Sequence, residues 1–215
     1  MDVAQNIYKQ YRIAVAVAFA MALAAAGLLT AYGKDQSFVL VNGWNTAVLD
    51  RLMPWVTHLG NGFIYVPILL LTWLYRRDYI VAIIAGIAIC FLFTYTLKNY
   101  VYPEELRPFS LAARNIAFHK VAGVDLHENY SFPSGHTSTA FTMALLLAAL
   151  QRHRALVIAL PFVALLVGFS RIYLAQHFLT DVTAGIMVGI VSSYLSLLTY
   201  RVVHRRRLEQ KKSQV

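Results

Sequence analysis

His177 and Asp181 stand four residues apart, a spacing that puts both side chains on one face of a helix. A carboxylate on one imidazole nitrogen fixes the tautomer and leaves the other nitrogen free to attack an electrophile. A second histidine, His136, follows Pro133-Ser134-Gly135. Proline suits a helix's first turn, and glycine lets backbone come close to a ligand. The free N–H groups and the dipole of such a helix start attract an anion such as phosphate. The Ser134 hydroxyl adds a donor, and His136 there is suited to protonate a leaving oxygen as general acid. Lys98, Arg107 and Arg171 supply three cations, and arginine grips phosphate oxygens with two parallel hydrogen bonds. Two histidines, one carboxylate and three cations make a complete set for phosphoryl transfer through a phosphohistidine. Taken singly, each has a plainer explanation. A histidine at a helix start is a cap, an arginine near a span end snorkels to headgroups, and His177/Asp181 is a structural pair. What argues for chemistry is that all three clusters fall on one side of a membrane.

That common side follows from the apolar runs. Of 215 residues, 59% are hydrophobic and 13% charged, against about 45–50% and about 25% in a soluble domain. Mean hydropathy is +0.56. These values exclude a disordered chain or coiled coil, and the single Cys90 excludes a disulfide framework. A bilayer crossing needs about 20 apolar residues. Six segments meet or approach that length, at approximately 13–32, 56–75, 79–97, 134–151, 155–175 and 178–203. The predicted fold is therefore all-α, a polytopic bundle of six transmembrane helices forming one domain over residues 1–215. The first run has 20 uncharged residues, longer than the usual 7–15 of a signal-peptide core, which favours a retained span. Arg171 and Asp181 interrupt the fifth and sixth runs, and charges at membrane depth are functional candidates.

Twelve of the 19 Lys and Arg residues fall on the side opposite the three clusters. They include Lys9, Arg12, Arg76, Arg77, Arg152, Arg154 and the basic tail from 204 to 215. The positive-inside rule then puts both termini in the cytoplasm and the clusters outside. The tail faces lipid headgroups, and a nucleic-acid partner is disfavoured because no aromatic residues are interleaved with its charges. On the outer side, Trp44, Val48, Leu52 and Trp55/Val56 recur at helical spacing. This predicts an amphipathic helix lying in the interface or packed as a lid over the bundle. The stretch 98–132 is the longest polar segment, and long ordered loops are often functional. His119, Asp125, His127 and Glu128 lie in it without metal-ligand spacing, and no phosphate-cradling glycine-rich loop occurs.

The pattern Lys98…Arg107-Pro108, Pro133-Ser134-Gly135-His136, Ser170-Arg171-x5-His177-x3-Asp181 resembles the three-part signature of the type 2 phosphatidic acid phosphatases, PAP2. The second and third parts match fully, and the six-span layout extends the likeness over nearly the whole chain. The resemblance implies an outward-facing site that removes phosphate from lipids with no metal or other cofactor. It also implies His177 as nucleophile, Asp181 as its orienter and His136 as acid. Lys98, Arg107, Ser134, Gly135 and Arg171 would hold the phosphate. One departure stands out: eight residues, Asn99–Leu106, separate Lys98 from Arg107, where six are usual. Either a bulge absorbs the extra pair or Lys98 is displaced.

The expected activity is thus a metal-independent lipid phosphatase or diphosphatase of a bacterial inner membrane, with its site on the periplasmic side. Undecaprenyl diphosphate is the preferred substrate by family analogy, ahead of phosphatidylglycerophosphate, phosphatidate and lipid A phosphate. A lipid phosphotransferase using the same phosphohistidine is the runner-up. An anion transporter fits less well, since transporters gather charge at the midplane between repeated halves. The expected partners are a membrane lipid phosphate and the bilayer itself, and the sequence does not define an oligomeric state.

Overall fold

The computed structural model describes residues 3–212, and the regular structure in them is helical throughout. Seven α-helices follow in order: α1 Val3–Asn42, α2 Ala47–Val56, α3 Tyr65–Tyr75, α4 Ile80–Thr96, α5 Gly135–Ala149, α6 Arg154–Tyr173 and α7 Leu179–Lys212. Four helical stretches are long and apolar enough to cross a membrane: Asn6–Asn42, Arg77–Val101, Arg154–Tyr173 and Leu179–Arg207. A fifth candidate is a bent pair, Ala47–Gly60 with Gly62–Tyr75, which turns through 60°. Phe19, Leu23, Leu70, Trp73, Phe91 and Phe162 are exposed along these helices. Apolar surface on that scale needs lipid around it, and the chain is a multi-pass membrane protein.

The expected count of six spans is met only in part, and two segments show why. The segment predicted at 134–151 is α5, whose 15 residues reach only about 22 Å against a hydrocarbon core of about 30 Å. It is buried almost all round by α1, α4, α6 and α7, so its apolar residues serve the bundle core rather than lipid. The segment predicted at 56–75 is broken near Asn61, leaving α3 with 11 residues. The basic tail continues α7 as helix to Lys212, and residues 213–215 lie outside the described residues.

The first span also runs on past its predicted end. Gly33 has φ +71°, a conformation that favours glycine, and there α1 breaks and resumes as Lys34–Asn42. This second part inserts Phe38 against Phe178, with ring centroids 5.4 Å apart. Asn42 is buried at its end and donates to the carbonyls of Ile172 and Tyr173, while accepting from His119 N–H at 2.7 Å. One side chain thereby satisfies carbonyls at the C-terminus of α6 and anchors the outer loop. The amphipathic helix predicted after Gly33 is α2. Its Val48, Leu52 and Trp55 are exposed, whereas Met53, Leu49 and Val56 pack with Tyr173 and Leu174.

Glycines on α7 set the approach of α7 to α5. A Cβ at Gly189 would lie 2.5 Å from Phe141 Cβ, and one at Gly185 would lie 2.8 Å from Thr137 Cβ and 3.0 Å from the Ser134 carbonyl oxygen. Small residues at these two positions let the helix starts touch. Asp181, one turn before Gly185, is therefore delivered beside Ser134.

Candidate active site

Three chain segments converge where α5 and α7 begin. Asp181 is fully buried, and its Oδ2 accepts from three donors: His177 Nδ1 at 3.2 Å, Phe178 N–H at 2.9 Å and the Ser131 hydroxyl. Its own carbonyl accepts from Ser134 N–H at 3.0 Å. The nucleophile candidate sits in a tight reversal after α6. The Arg171 carbonyl accepts from both Gln176 N–H and His177 N–H, and Ala175 is forced to φ +52°. That left-handed conformation is costly for a residue with a Cβ and is held by the surrounding bonds.

His177 is 2% exposed, and of its two ring nitrogens only Nδ1 has a hydrogen-bond partner among the described residues. Burial pulls its pKa down to about 3, with Asp181 opposing and Arg171 and Arg107 reinforcing the fall. The ring is therefore neutral at physiological pH. Nδ1 carries the proton toward the carboxylate, and Nε2 keeps its lone pair. This is the protonation state a nitrogen nucleophile needs.

A cavity of about 480 Å³ opens over His177. Lys98, Arg107, Gly135, His136 and Arg171 line it together with His177. Six of the eight residues singled out from sequence thus surround one space, while Asp181 and Ser134 stand behind its wall. Ser134 is the N-cap of α5, fully buried, with its hydroxyl oxygen accepting from Thr137 Oγ1 at 2.9 Å and from Thr137 N–H. Its hydroxyl stabilises the helix start rather than facing the cavity. A Cβ added at Gly135 would meet only Thr94 Cγ2, at 3.5 Å, so the cavity side of that glycine is open.

The cations are held differently from one another. Arg107 is fixed by carbonyls: Nε donates to Asn129 at 2.9 Å, and Nη1 donates to Gln176 at 3.2 Å. Burial lowers the Arg107 pKa, with Asp181 opposing, but a guanidinium stays charged. Arg171 is buried, and its Nη1 donates to Thr57 Oγ1 at 2.8 Å. Its Nε is a buried donor without an acceptor among the described residues. Lys98 lies in a π-turn, Leu97–Val101, closed by Tyr102 N–H to the Leu97 carbonyl at 2.8 Å. A π-turn takes up an additional residue relative to an α-turn. Lys98 lines the same cavity in spite of the longer gap to Arg107, its Nζ donating to the Tyr130 carbonyl at 2.6 Å.

The structure also brings in residues that the spacing argument did not select. Ser131 and Gln176 contact the site directly, and Thr57, His58 and Asn61 form a wall from the α2–α3 bend. The bend packs tightly: a Cβ at Gly60 would lie 2.6 Å from the His136 carbonyl oxygen. Of the polar loop residues, Asp125 and His127 line the cavity, whereas His119 is bonded to Asp50 on α2 at 2.7 Å.

Comparison with known proteins shows the family. Residues 77–207 match the PAP2 superfamily, more than half of the chain. The chain is 27% identical over 183 residues to an undecaprenyl-diphosphatase of Sulfolobus acidocaldarius, covering 80% of this chain and 81% of that protein. It is 29% identical over 164 residues to phosphatidylglycerophosphatase B of Bacillus subtilis, covering 68% and 73%. The crystal structure of Aquifex aeolicus LpxE superposes with a TM-score of 0.67 at 27% identity, over 76% of this chain and 94% of that one. The chain belongs to the PAP2 superfamily and is a membrane lipid phosphatase or diphosphatase, a hydrolase of phosphoric monoesters or anhydrides.

Ser131 supplies a testable consequence. Its hydroxyl is one of four donors that fix the Asp181 carboxylate, and a hydrogen bond to a charged group is worth roughly 1.5–3 kcal/mol. Ser131→Ala is expected to lower kcat about tenfold to a hundredfold on a lipid phosphate, with KM little changed. Steady-state kinetics of the purified variant provide the check, and a wild-type kcat would remove Ser131 from the site.

Proposed function

We propose that this chain hydrolyses the terminal phosphate of a membrane lipid through a phosphohistidine on His177. The observation that carries the reading is Arg171: a buried guanidinium whose Nε–H lacks an acceptor among the described residues, lining the same cavity as Lys98, Arg107 and the neutral His177. A buried cation without a counter-charge is costly, and a phosphate dianion resolves that cost. In the first step the His177 Nε2 lone pair forms a bond to phosphorus while the bond from phosphorus to the lipid oxygen breaks. The phosphate dianion offsets the neighbouring cations and lets His136 carry a second ring proton, which the leaving oxygen takes. In the second step His136, now neutral, accepts a proton from water as the water oxygen attacks phosphorus. The N–P bond breaks, inorganic phosphate leaves and His177 regains its lone pair. Lys98, Arg107, Arg171 and the Gly135 N–H stabilise the charge spread over the phosphoryl oxygens. Ser134 supports them by capping α5.

His136 also borders a second cavity, of about 300 Å³, between α3 and α4. Tyr65, Ile87, Cys90 and Phe91 line it, and it shares Asn61, Gly135 and His136 with the phosphate cavity. The group that His136 protonates is the one attached to the lipid. An apolar crevice beginning at His136 and bordered by exposed Phe91 suits the tail of that leaving group. Undecaprenyl diphosphate is the substrate we favour, supported by the diphosphatase relative and by cavity space beyond the three cations. Phosphatidylglycerophosphate and lipid A phosphate are the competing lipids.

The orientation we propose has both termini in the cytoplasm and the site on the extracytoplasmic side. The six helical segments then cross in alternation, with the bent pair and α5 counted as crossings. Lys9, Arg12 and Arg154 cluster at the end of the bundle opposite the site, and Arg201 lies over the Tyr8 ring there. With Cys90 replaced, a cysteine at Ala112 is expected to react with an impermeant thiol reagent added outside intact cells, and one at Arg152 is not. The reverse pattern would invert the orientation.

The role of His136 is tested by leaving-group dependence. General acid catalysis is commonly worth about 10²–10⁴-fold. His136→Ala is expected to lose activity of that order on undecaprenyl diphosphate in detergent. The loss should be much smaller on p-nitrophenyl phosphate, whose phenolate departs without a proton. Equal losses in kcat/KM on the two substrates would make His136 a binding residue.

A further inference from the structure

Gln176 immediately precedes the nucleophile candidate and is buried. Its Oε1 accepts from Arg107 Nη1 at 3.1 Å and lies 3.5 Å from Arg171 Nη2. Its backbone carbonyl accepts from Arg107 Nη1 at 3.2 Å, and its Nε2 donates to the Asp125 carbonyl at 2.8 Å. One residue therefore touches both cavity arginines, the outer loop and, through the chain, His177. No other side chain among the described residues is bonded to both Arg107 and Arg171.

The chemistry of the group at that point is informative. Two guanidinium ions lining one cavity repel each other, and each would swing toward any acceptor within reach. A glutamate there would hold both more strongly, but its charge would cancel part of the field that attracts a phosphate. A carboxamide provides an acceptor for both arginines and carries no net charge. Its N–H₂ end is left to fasten a loop, and here it fastens Asp125, whose neighbours Val124 and His127 also line the cavity.

We propose that Gln176 is a positioning residue. It holds Arg107 and Arg171 at a fixed separation for one phosphate group and latches the 123–127 loop over the cavity. The inference rests on the phosphate-hydrolysing reading above and assigns to Gln176 the geometry of the anion site, not a share in bond making. A residue acting in this way controls how tightly an anion of phosphate shape is held. A residue with a packing role alone would alter unfolding temperature and leave anion affinity unchanged.

The test uses purified full-length protein in detergent, with vanadate as the probe because it mimics five-coordinate phosphorus. Gln176→Leu keeps the approximate size and removes every side-chain hydrogen bond. Gln176→Glu keeps an acceptor for both arginines, removes the donor to the Asp125 carbonyl and adds a negative charge. Vanadate inhibition constants, KM and kcat on a lipid diphosphate, and thermal unfolding are measured for each. For Gln176→Leu, both the vanadate constant and KM are expected to rise about tenfold or more, from the loss of hydrogen bonds to charged groups. The fall in kcat should be smaller. Gln176→Glu is expected to weaken vanadate binding as well, through its added charge, although it retains the acceptor. Should Gln176→Leu not fold, Gln176→Met, which also lacks the acceptor, takes its place. Vanadate constants within twofold of wild type for the folded variants would overturn the proposal, whatever happens to the unfolding temperature. Wild-type protein that neither hydrolyses a lipid phosphate nor binds vanadate would overturn the phosphate reading, and this inference with it.

Discussion

The buried Asp181 carboxylate is the point on which the rest of the site depends. An ionised carboxylate without exposure is tolerated only if hydrogen-bond donors replace the water it has lost. Four do so, and they come from separate places: the loop before α5 through Ser131, the turn after α6 through His177, and the start of α7 through Phe178 N–H and the Thr180 hydroxyl. The Asp181 carbonyl in turn takes the Ser134 N–H. Satisfying one buried charge thereby fixes the relative position of the helix start that carries His136 and the turn that carries His177. Gly185 and Gly189 make this possible by allowing α7 to touch α5. The packing of the core and the registration of the site are one arrangement.

The electrostatics follow from the same geometry. Lys98, Arg107 and Arg171 line one cavity against two carboxylates, Asp125 in its lining and Asp181 behind its wall, so the cavity carries a surplus of positive charge. Burial keeps His177 neutral and its lone pair available, and the cations reinforce that state. A group that must act as a nucleophile toward an anion benefits from both conditions. The site is provided with donors before any substrate enters, as electrostatic preorganisation requires.

Much of this was legible in the sequence, and the exceptions have identifiable causes. Charge-free runs marked the long helices, and Arg171 and Asp181 stood out because they interrupt such runs. The breaks were hidden. Gly33 gives no sign by type that φ there is positive, and Lys34–Asn42 carries charges that read as loop, although they pair with Glu105 and Arg114 on the outer segment. The shortness and deep burial of α5 were not legible because an apolar helix buried by other helices and one buried by lipid look alike in composition. Spacing alone left the position of Lys98 open, since a π-turn has no sequence mark. Ser131 and Gln176 have no role that the sequence assigns, because ordinary polar residues in a loop acquire meaning only from what the fold sets beside them.

The central claim is that His177 becomes covalently phosphorylated. The most direct measurement is rapid acid-free quenching of the purified enzyme during turnover of a lipid diphosphate labelled in its terminal phosphate, followed by assay of the protein-bound label. The account predicts an acid-labile, base-stable phosphoramidate that maps to His177 and is absent from folded His177→Ala. Turnover by His177→Ala, or label held on a residue other than His177, would contradict it.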